Sequence, residues 1–223
     1  MALTQKIKSF SERIHSILFP KRCAGCGAKE TYLCDLCRNQ IPLSRGYSEY
    51  TILSAVPYRQ PAVQKLIWLL KYRGIKEVAD IFAGWLSEIL LDELTEATAY
   101  RETGGKILLV PIPLSKKRER ARGYNQAEEI AKKLQELDPK LFRLEARNLI
   151  KIKDTPAQVK VKNRTERLNN LLGVFRVQNR RAFRGRTIIL IDDVSTTGTT
   201  LAEASRALER AKPRKIIRVA VAS

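Results

Sequence analysis

IILIDDVSTTGTT, residues Ile188 to Thr200, decides how the rest of the chain is read. Its first residues, Ile188–Ile191, are all Ile or Leu and predict a short strand buried on both faces. Asp192 and Asp193 then stand where that strand is expected to leave the sheet. Small hydroxyl residues surround Gly198 in Ser195–Thr200, and Leu201, Ala204, Leu208 and Ala211 recur at helical spacing. The order is strand, loop, helix. A helix N-terminus leaves backbone N–H groups without intrahelical partners and carries partial positive charge, which suits a phosphate. Gly198 permits close backbone approach, and Thr196, Thr197, Thr199 and Thr200 add hydroxyl donors. Carboxylates repel phosphate. The paired acids are therefore read as acceptors for the vicinal hydroxyls of a ribose whose 5′-phosphate lies in the loop. For any one of these residues the plain alternative is an ordinary N-cap or an aspartate that merely ends a strand. No Lys follows Gly198, which separates the segment from a Walker P-loop.

At 223 residues the chain is long enough for one sizeable core and a small appendage. Its net charge of +19 is the compositional outlier and favours polyanions: nucleic acid, anionic lipid or phosphorylated metabolites. The charge is uneven. Glu77 to Glu102 carries seven carboxylates against Arg101 alone, whereas Lys116–Arg122, Lys140–Arg186 and Arg206–Arg218 are strongly basic. No apolar run reaches the roughly 18 residues of a membrane span. Lys6, Lys8, Glu12 and Arg13 interrupt any signal-peptide core, so a soluble cytoplasmic protein is expected.

Residues 2–18 have amphipathic helical spacing, with Leu3, Ile7, Phe10, Ile14 and Ile17 on one face. Such a helix packs on its own protein or lies on a membrane surface. His15, the only histidine, falls here, which leaves no basis for histidine acid–base or metal chemistry. Cys23, Cys26, Cys34 and Cys37 follow as two CxxC pairs and are all the cysteines in the chain. Two such knuckles complete a four-thiolate structural zinc site, closed to catalysis, with Gly25 and Gly27 at its turns. Disulfides are the alternative, but they suit oxidising compartments. The module is too small to fold without its metal. The polar stretch Ile41–Tyr50 marks the boundary between a module at 1–45 and a larger domain at 46–223.

Downstream, AVPYRQPAVQKLIWLLKYRG reads as a strand, a turn and a helix over Pro61–Tyr72, with Val63, Leu66, Ile67 and Leu70 inward and Trp68 packing rather than stacking a base. A second helix covers Glu77–Thr95. Lys106–Ser115 contains another buried strand, followed by a cationic loop (Lys116, Lys117, Arg118, Arg120, Arg122), then GYNQ and a helix to Leu137. A basic loop at the carboxyl end of a parallel strand lies where α/β sheets bind ligands. Glu145–Ile152 is a further strand, Lys153–Gln158 a turn-rich loop, Gly173–Val177 an edge strand, and Lys215–Ala222 closes the sheet. Strands alternating with helices imply an α/β fold, a parallel sheet flanked by helices.

The stretch IDDVSTTGTT resembles the phosphoribosyl-pyrophosphate (PRPP) motif of type I phosphoribosyltransferases, with Ser195 where that motif usually has an apolar, packing residue. Together with the cysteine knuckles, YRQPAVQKLIWLLKYRG, VPIPLSKKRERARGYNQA and KDTPAQ, in this order, the chain resembles ComF-type competence proteins over nearly its whole length. The resemblance implies a type I phosphoribosyltransferase core behind a zinc module, in a cytoplasmic protein that handles single-stranded DNA during uptake, alongside uptake or recombination machinery. By position, Asp192 and Asp193 would hold the ribose hydroxyls, and Ser195, Thr196, Thr197, Gly198, Thr199 and Thr200 would cradle the 5′-phosphate. Lys116, Arg118, Arg122 and Asn125 would face the pyrophosphate, with Lys153 opening the cover, and Mg²⁺ would arrive on the PRPP. No general base is apparent. The alternative is a non-catalytic single-stranded-DNA-binding protein that reuses the fold.

Overall fold

The computed structural model describes residues 20–44, 51–95, 105–153 and 173–223. The predicted N-terminal helix with His15, the stretch 45–50, most of KDTPAQ and the basic segment behind it lie outside the described residues.

Five parallel strands form the main sheet: β1 (Leu53–Val56), β2 (Ile107–Pro111), β3 (Phe142–Leu144), β6 (Thr187–Val194) and β7 (Lys215–Ala222), in the order β1-β7-β6-β2-β3. β6 is central, in register with β2 from Ile188 to Ile191 and with β7 from Thr187 to Val194. Side chains alternate across a strand, so β6 supplies two cores. Ile189 and Ile191 meet helices α2 (Pro61–Tyr72), α3 (Val78–Thr95) and α5 (Gln126–Leu137) on one face. Ile188 and Leu190 meet α6 (Thr199–Glu209) and Phe183 on the other. A strand covered on both sides must be apolar on both, which is why Ile188–Ile191 is unbroken by polar residues.

The same covering fixes where a ligand can sit. The β2-to-β3 connection runs to one side through α5, and the β6-to-β7 connection runs to the other through α6 on the opposite face. Adjacent strands whose connections part in this way leave a crevice at their carboxyl ends. The crevice lies at the ends of β2 and β6.

Four sequence expectations are corrected. The acids do not follow the strand: Asp192 pairs with Ala220 inside β6, which runs on to Val194. The basic run is not a loop but a helix, α4 (Lys116–Arg122), because KKRERAR consists of strong helix formers and Ser115 caps it by accepting from the Arg118 N–H. β7 does not close the sheet; it lies between β1 and β6 and leaves β1 at the edge. Finally, the single strand expected over Glu145–Ile152 is β4 (Leu149–Lys151), which pairs antiparallel with β5 (Phe175–Val177) in a separate two-stranded sheet. β3 already occupies the main-sheet edge, and Leu149, Val174 and Phe175 instead bury against the α6 side.

The cysteine segment packs on the larger unit. Ala24 and Ile41 join the α3 core, and Arg38, in the short helix α1 (Asp35–Asn39), pairs with Glu88 of α3. Among the described residues no helix is long and apolar enough to cross a membrane.

Ile189 is fully buried at the centre of the sheet, so Ile189→Ala is expected to cost about 2–5 kcal/mol in urea unfolding, whereas Leu137→Ala on the exposed end of α5 should stay within about 0.5 kcal/mol of wild type.

Candidate functional site

A cavity of about 870 Å³ opens at the carboxyl ends of β2 and β6. From the end of β6 it takes Asp192, Asp193 and Val194, then Thr196 and Thr200 from the following loop and helix start. Ile112, Pro113 and Leu114 follow β2, and Arg118, Arg122 and Asn125 come from α4 and the start of α5. β4 adds Lys151, and α2 adds Gln64, Trp68, Lys71 and Tyr72.

The acid pair is built by the strand's alternation. Asp193 shares the α2 side with Ile189 and Ile191, and the Lys71 Nζ meets its Oδ1 at 3.0 Å, both side chains largely buried. The Asp193 N–H donates to Asp192 Oδ1 at 2.9 Å. Burial and then the Asp193 carboxylate push the Asp192 carboxyl up to about 7, against the opposing pull of Lys71 and of that N–H. Lys71 therefore neutralises one acid while the other is poised to lose or keep its proton near neutrality. An ion or hydroxyl-bearing ligand entering here exchanges contacts with a preformed charge cluster.

The hydroxyl loop is shaped by Gly198, which caps α6 with φ +69, a left-handed backbone that glycine adopts without steric cost. Thr197 and Thr199 hydroxyls lie 3.0 Å apart. Thr196 and Thr200 line the cavity, while Ser195 and Thr199 are buried beneath them. The Ser195 N–H donates to the Ala222 carbonyl, extending the sheet by one bond, so this residue packs as its position in the motif implies.

On the β2 side Asn125 holds the turn. Its amide donates to the Ile112 carbonyl at 2.9 Å and its oxygen accepts from the Ala127 N–H at 3.1 Å, fixing α5 to the end of β2. Arg122 donates to Gln126 at 2.8 Å and stacks over Tyr72 at 5.7 Å. The Tyr124 hydroxyl donates to the Leu70 carbonyl, tying this turn to α2. Lys116 and Lys153 are exposed and do not line the cavity.

Sequence reasoning passed over Lys71, Lys151 and Tyr72, and it misread Trp68. The tryptophan does not pack in the core: it is 48% exposed and lines the cavity. The signal was present in the helical spacing, since Trp68, Lys71 and Tyr72 share the face of α2 opposite Val63, Leu66, Ile67 and Leu70.

In the cysteine segment the sulphurs all lie within 4.8 Å of one another, with all four cysteines free. Cys34 Sγ is 3.7 Å from Cys23 Sγ and 3.6 Å from Cys26 Sγ. These separations are far longer than a disulfide and match the edge of a tetrahedron with metal–thiolate distances of about 2.3 Å. Burial alone would push the Cys23 thiol up, but the N–H groups of Cys34, Cys26 and Gly25 draw it down to about 6. Hydrogen bonding to Cys34 holds Cys37 up at about 12. Four thiolates this close repel one another unless a cation lies between them. The cradle is also closed sterically: a Cβ on Gly25 would sit 2.6 Å from the Cys37 sulphur. The cluster fits a metal ion.

A profile of the phosphoribosyl transferase domain matches residues 120–223, from the end of α4 through β7. The Bacillus subtilis protein named competence protein ComFC is 37% identical over 186 residues, which span 83% of this chain and 65% of that protein. The Escherichia coli K12 protein named DNA utilization protein YhgH is 30% identical over 194 residues, 84% of this chain and 78% of its own length. The chain belongs to the ComF family. The ComF-family chain also bears a slight likeness to a solved Trypanosoma cruzi hypoxanthine phosphoribosyl transferase, with TM-score 0.40 and 11% identity over 65% of this chain and 64% of that one. Its α/β fold is the phosphoribosyltransferase-type parallel sheet expected from the sequence, with the cysteine cluster ahead of it.

Two outcomes test the site. Gly25→Ala should lower bound metal from about one ion per chain to a small fraction of that, as read by elemental analysis of the purified protein. For Asp192, a folded pKa of about 7 against 3.8 unfolded means tighter proton binding in the native state. That stabilisation is complete below the unfolded value and is lost as pH rises through the folded one. Urea unfolding of wild type should therefore fall relative to Asp192→Asn across about pH 4 to 7 and run parallel to it above; parallel curves throughout would contradict the assignment.

Proposed function

We propose that this ComF-family chain binds PRPP, or the 5′-phosphoribose of a nucleotide, in the cavity between β2 and β6. The carrying observation is that Asp192, Asp193, Thr196 and Thr200 line the same cavity as Arg118, Arg122 and Asn125. In this reading the acids accept from the ribose hydroxyls and the Ser195–Thr200 loop takes the 5′-phosphate. Arg118 and Arg122 face the pyrophosphate, with Lys71 and Lys151 within the same cavity. Mg²⁺ enters on the phosphates of PRPP and neutralises their charge. The reaction class is phosphoribosyl transfer. The bond from ribose C1 to the pyrophosphate oxygen breaks, its electron pair leaves on pyrophosphate, and an acceptor bonds to C1. The protein supplies orientation, cationic stabilisation of the leaving group and exclusion of water.

The cysteine cluster, in the same proposal, holds Zn²⁺ through Cys23, Cys26, Cys34 and Cys37 and keeps the cysteine segment folded, within a module assigned to 1–45 ahead of a unit at 46–223. Its closed thiolate shell makes the role structural. The names carried by the relatives, competence protein and DNA utilization protein, support a role in DNA uptake or use; in our reading that role is cytoplasmic, acts on single-stranded DNA and lies beside uptake or recombination proteins. The net charge of +19 supports a second reading, a non-catalytic single-stranded-DNA-binding protein that reuses the fold.

One titration series separates these. PRPP with Mg²⁺ should bind wild type and release pyrophosphate once an acceptor is supplied, and Asp192→Ala or Asp193→Ala should weaken binding by at least about tenfold. Absence of PRPP binding at millimolar concentration would remove the first reading. Binding without pyrophosphate release, together with DNA affinity that falls steeply between about 50 and 200 mM salt, would favour the second.

A further inference from the structure

The outward face of α2 remains unexplained by a sugar-phosphate ligand alone. Pro61, Gln64, Lys65, Trp68, Lys71 and Tyr72 recur at three- and four-residue spacing, and all six line the cavity. Within that stripe Trp68 and Tyr72 are 48% and 65% exposed, large apolar rings left in water on a helix whose other face is fully packed. Their ring centroids are 6.4 Å apart. The Arg73 guanidinium lies 5.8 Å from the Trp68 ring and that of Arg122 lies 5.7 Å from Tyr72. Lys71, on the same face between them, is held to Asp193 at 3.0 Å, so the ion pair fixes the rings beside the acids. A purely apolar partner would not match this surface, because Lys65, Lys71, Arg73 and Arg122 surround the rings. A planar π system carried on an anionic backbone does match it.

We infer that Trp68 and Tyr72 form a stacking ledge for the nucleobase of a nucleotide whose phosphoribose occupies the acid pair and hydroxyl loop. The inference rests on the phosphoribose reading above and narrows its occupant to a nucleoside 5′-phosphate unit, free or at the end of a polynucleotide. Recognition by the face of the base is sequence-tolerant, since every base has a π-face. Arg122 links the ledge to the anion site: the side chain that lines the cavity also stacks on Tyr72.

The test titrates wild type, Trp68→Phe and the double variant Trp68→Ala/Tyr72→Ala with ribose 5-phosphate, adenosine and cytidine 5′-monophosphates, and a 5′-phosphorylated oligothymidylate. Wild type should bind both monophosphates on the order of 10- to 100-fold more tightly than ribose 5-phosphate, with little difference between bases. The double variant should lose that advantage while binding ribose 5-phosphate within about twofold of wild type, and Trp68→Phe should keep most of it. Unchanged circular dichroism and melting temperature confirm that the fold is intact, as expected for exposed side chains. An oligonucleotide bound at least as tightly as the monophosphates identifies a polynucleotide end as the occupant; weaker binding identifies the free nucleotide. Equal wild-type affinity for ribose 5-phosphate and the monophosphates overturns the ledge and leaves the phosphoribose site standing, as does an advantage that survives in the double variant. If none of the probes binds, the phosphoribose reading itself fails.

Discussion

Two carboxylates that directly follow the apolar run Ile188–Ile191 of one strand are the constraint around which the site is arranged. Burying like charges side by side is expensive, and the chain meets the cost with one lysine on a neighbouring helix and one backbone N–H. Lys71 reaches Asp193 only because α2 packs Val63, Leu66, Ile67 and Leu70 against the sheet face that Ile189 and Ile191 share. The core thus aims the site. Loosening that packing would misplace Lys71 before it unfolded anything, because the ion pair depends on a helix position set by side chains on its far face.

The β2 side shows the same economy of anchoring. Asn125 spends both ends of its amide on the backbone, and Tyr124 ties the same turn to the carbonyl of Leu70 in α2. α2, α4 and α5 therefore meet at one corner, and the cations of α4 are presented on a fixed platform rather than a free loop. The cysteine segment is fastened to the same core through Ala24 and Ile41, and to α3 through Arg38. None of the four cysteines is among the residues lining the cavity.

Sequence pattern made the central strand, its flanking helices and the hydroxyl loop legible, because each rests on local rules: apolar runs, helical spacing, and glycine where φ is positive. Asp192, Asp193, Thr196 and Thr200 fall together in the cavity for the same reason, being contiguous in the chain. What could not be read is what depends on partners distant in sequence. Lys71 carries no local signal because its partner Asp193 lies far off in the chain, and the packing expected of Trp68 overlooked its place on the face of α2 opposite Val63, Leu66, Ile67 and Leu70. The run Lys116–Arg122 was read by its charge when its propensity and the Ser115 cap carried the structural information. Three-residue strands such as β4 and β5 are too short for periodicity to choose between joining the main sheet and pairing with each other.

The small β4–β5 sheet has a consequence of another kind. Its strands bring Ile152 and Val174 into hydrogen-bond contact, the Ile152 N–H donating to the Val174 carbonyl at 2.8 Å, and Glu203 of α6 accepts from the Gly173 N–H at 2.7 Å. Ile152 and Val174 are thus held together beside Lys151 at the cavity wall. Because α6 starts at the hydroxyl loop, the Glu203 carboxylate couples this small sheet to the helix that presents Thr200 to the cavity.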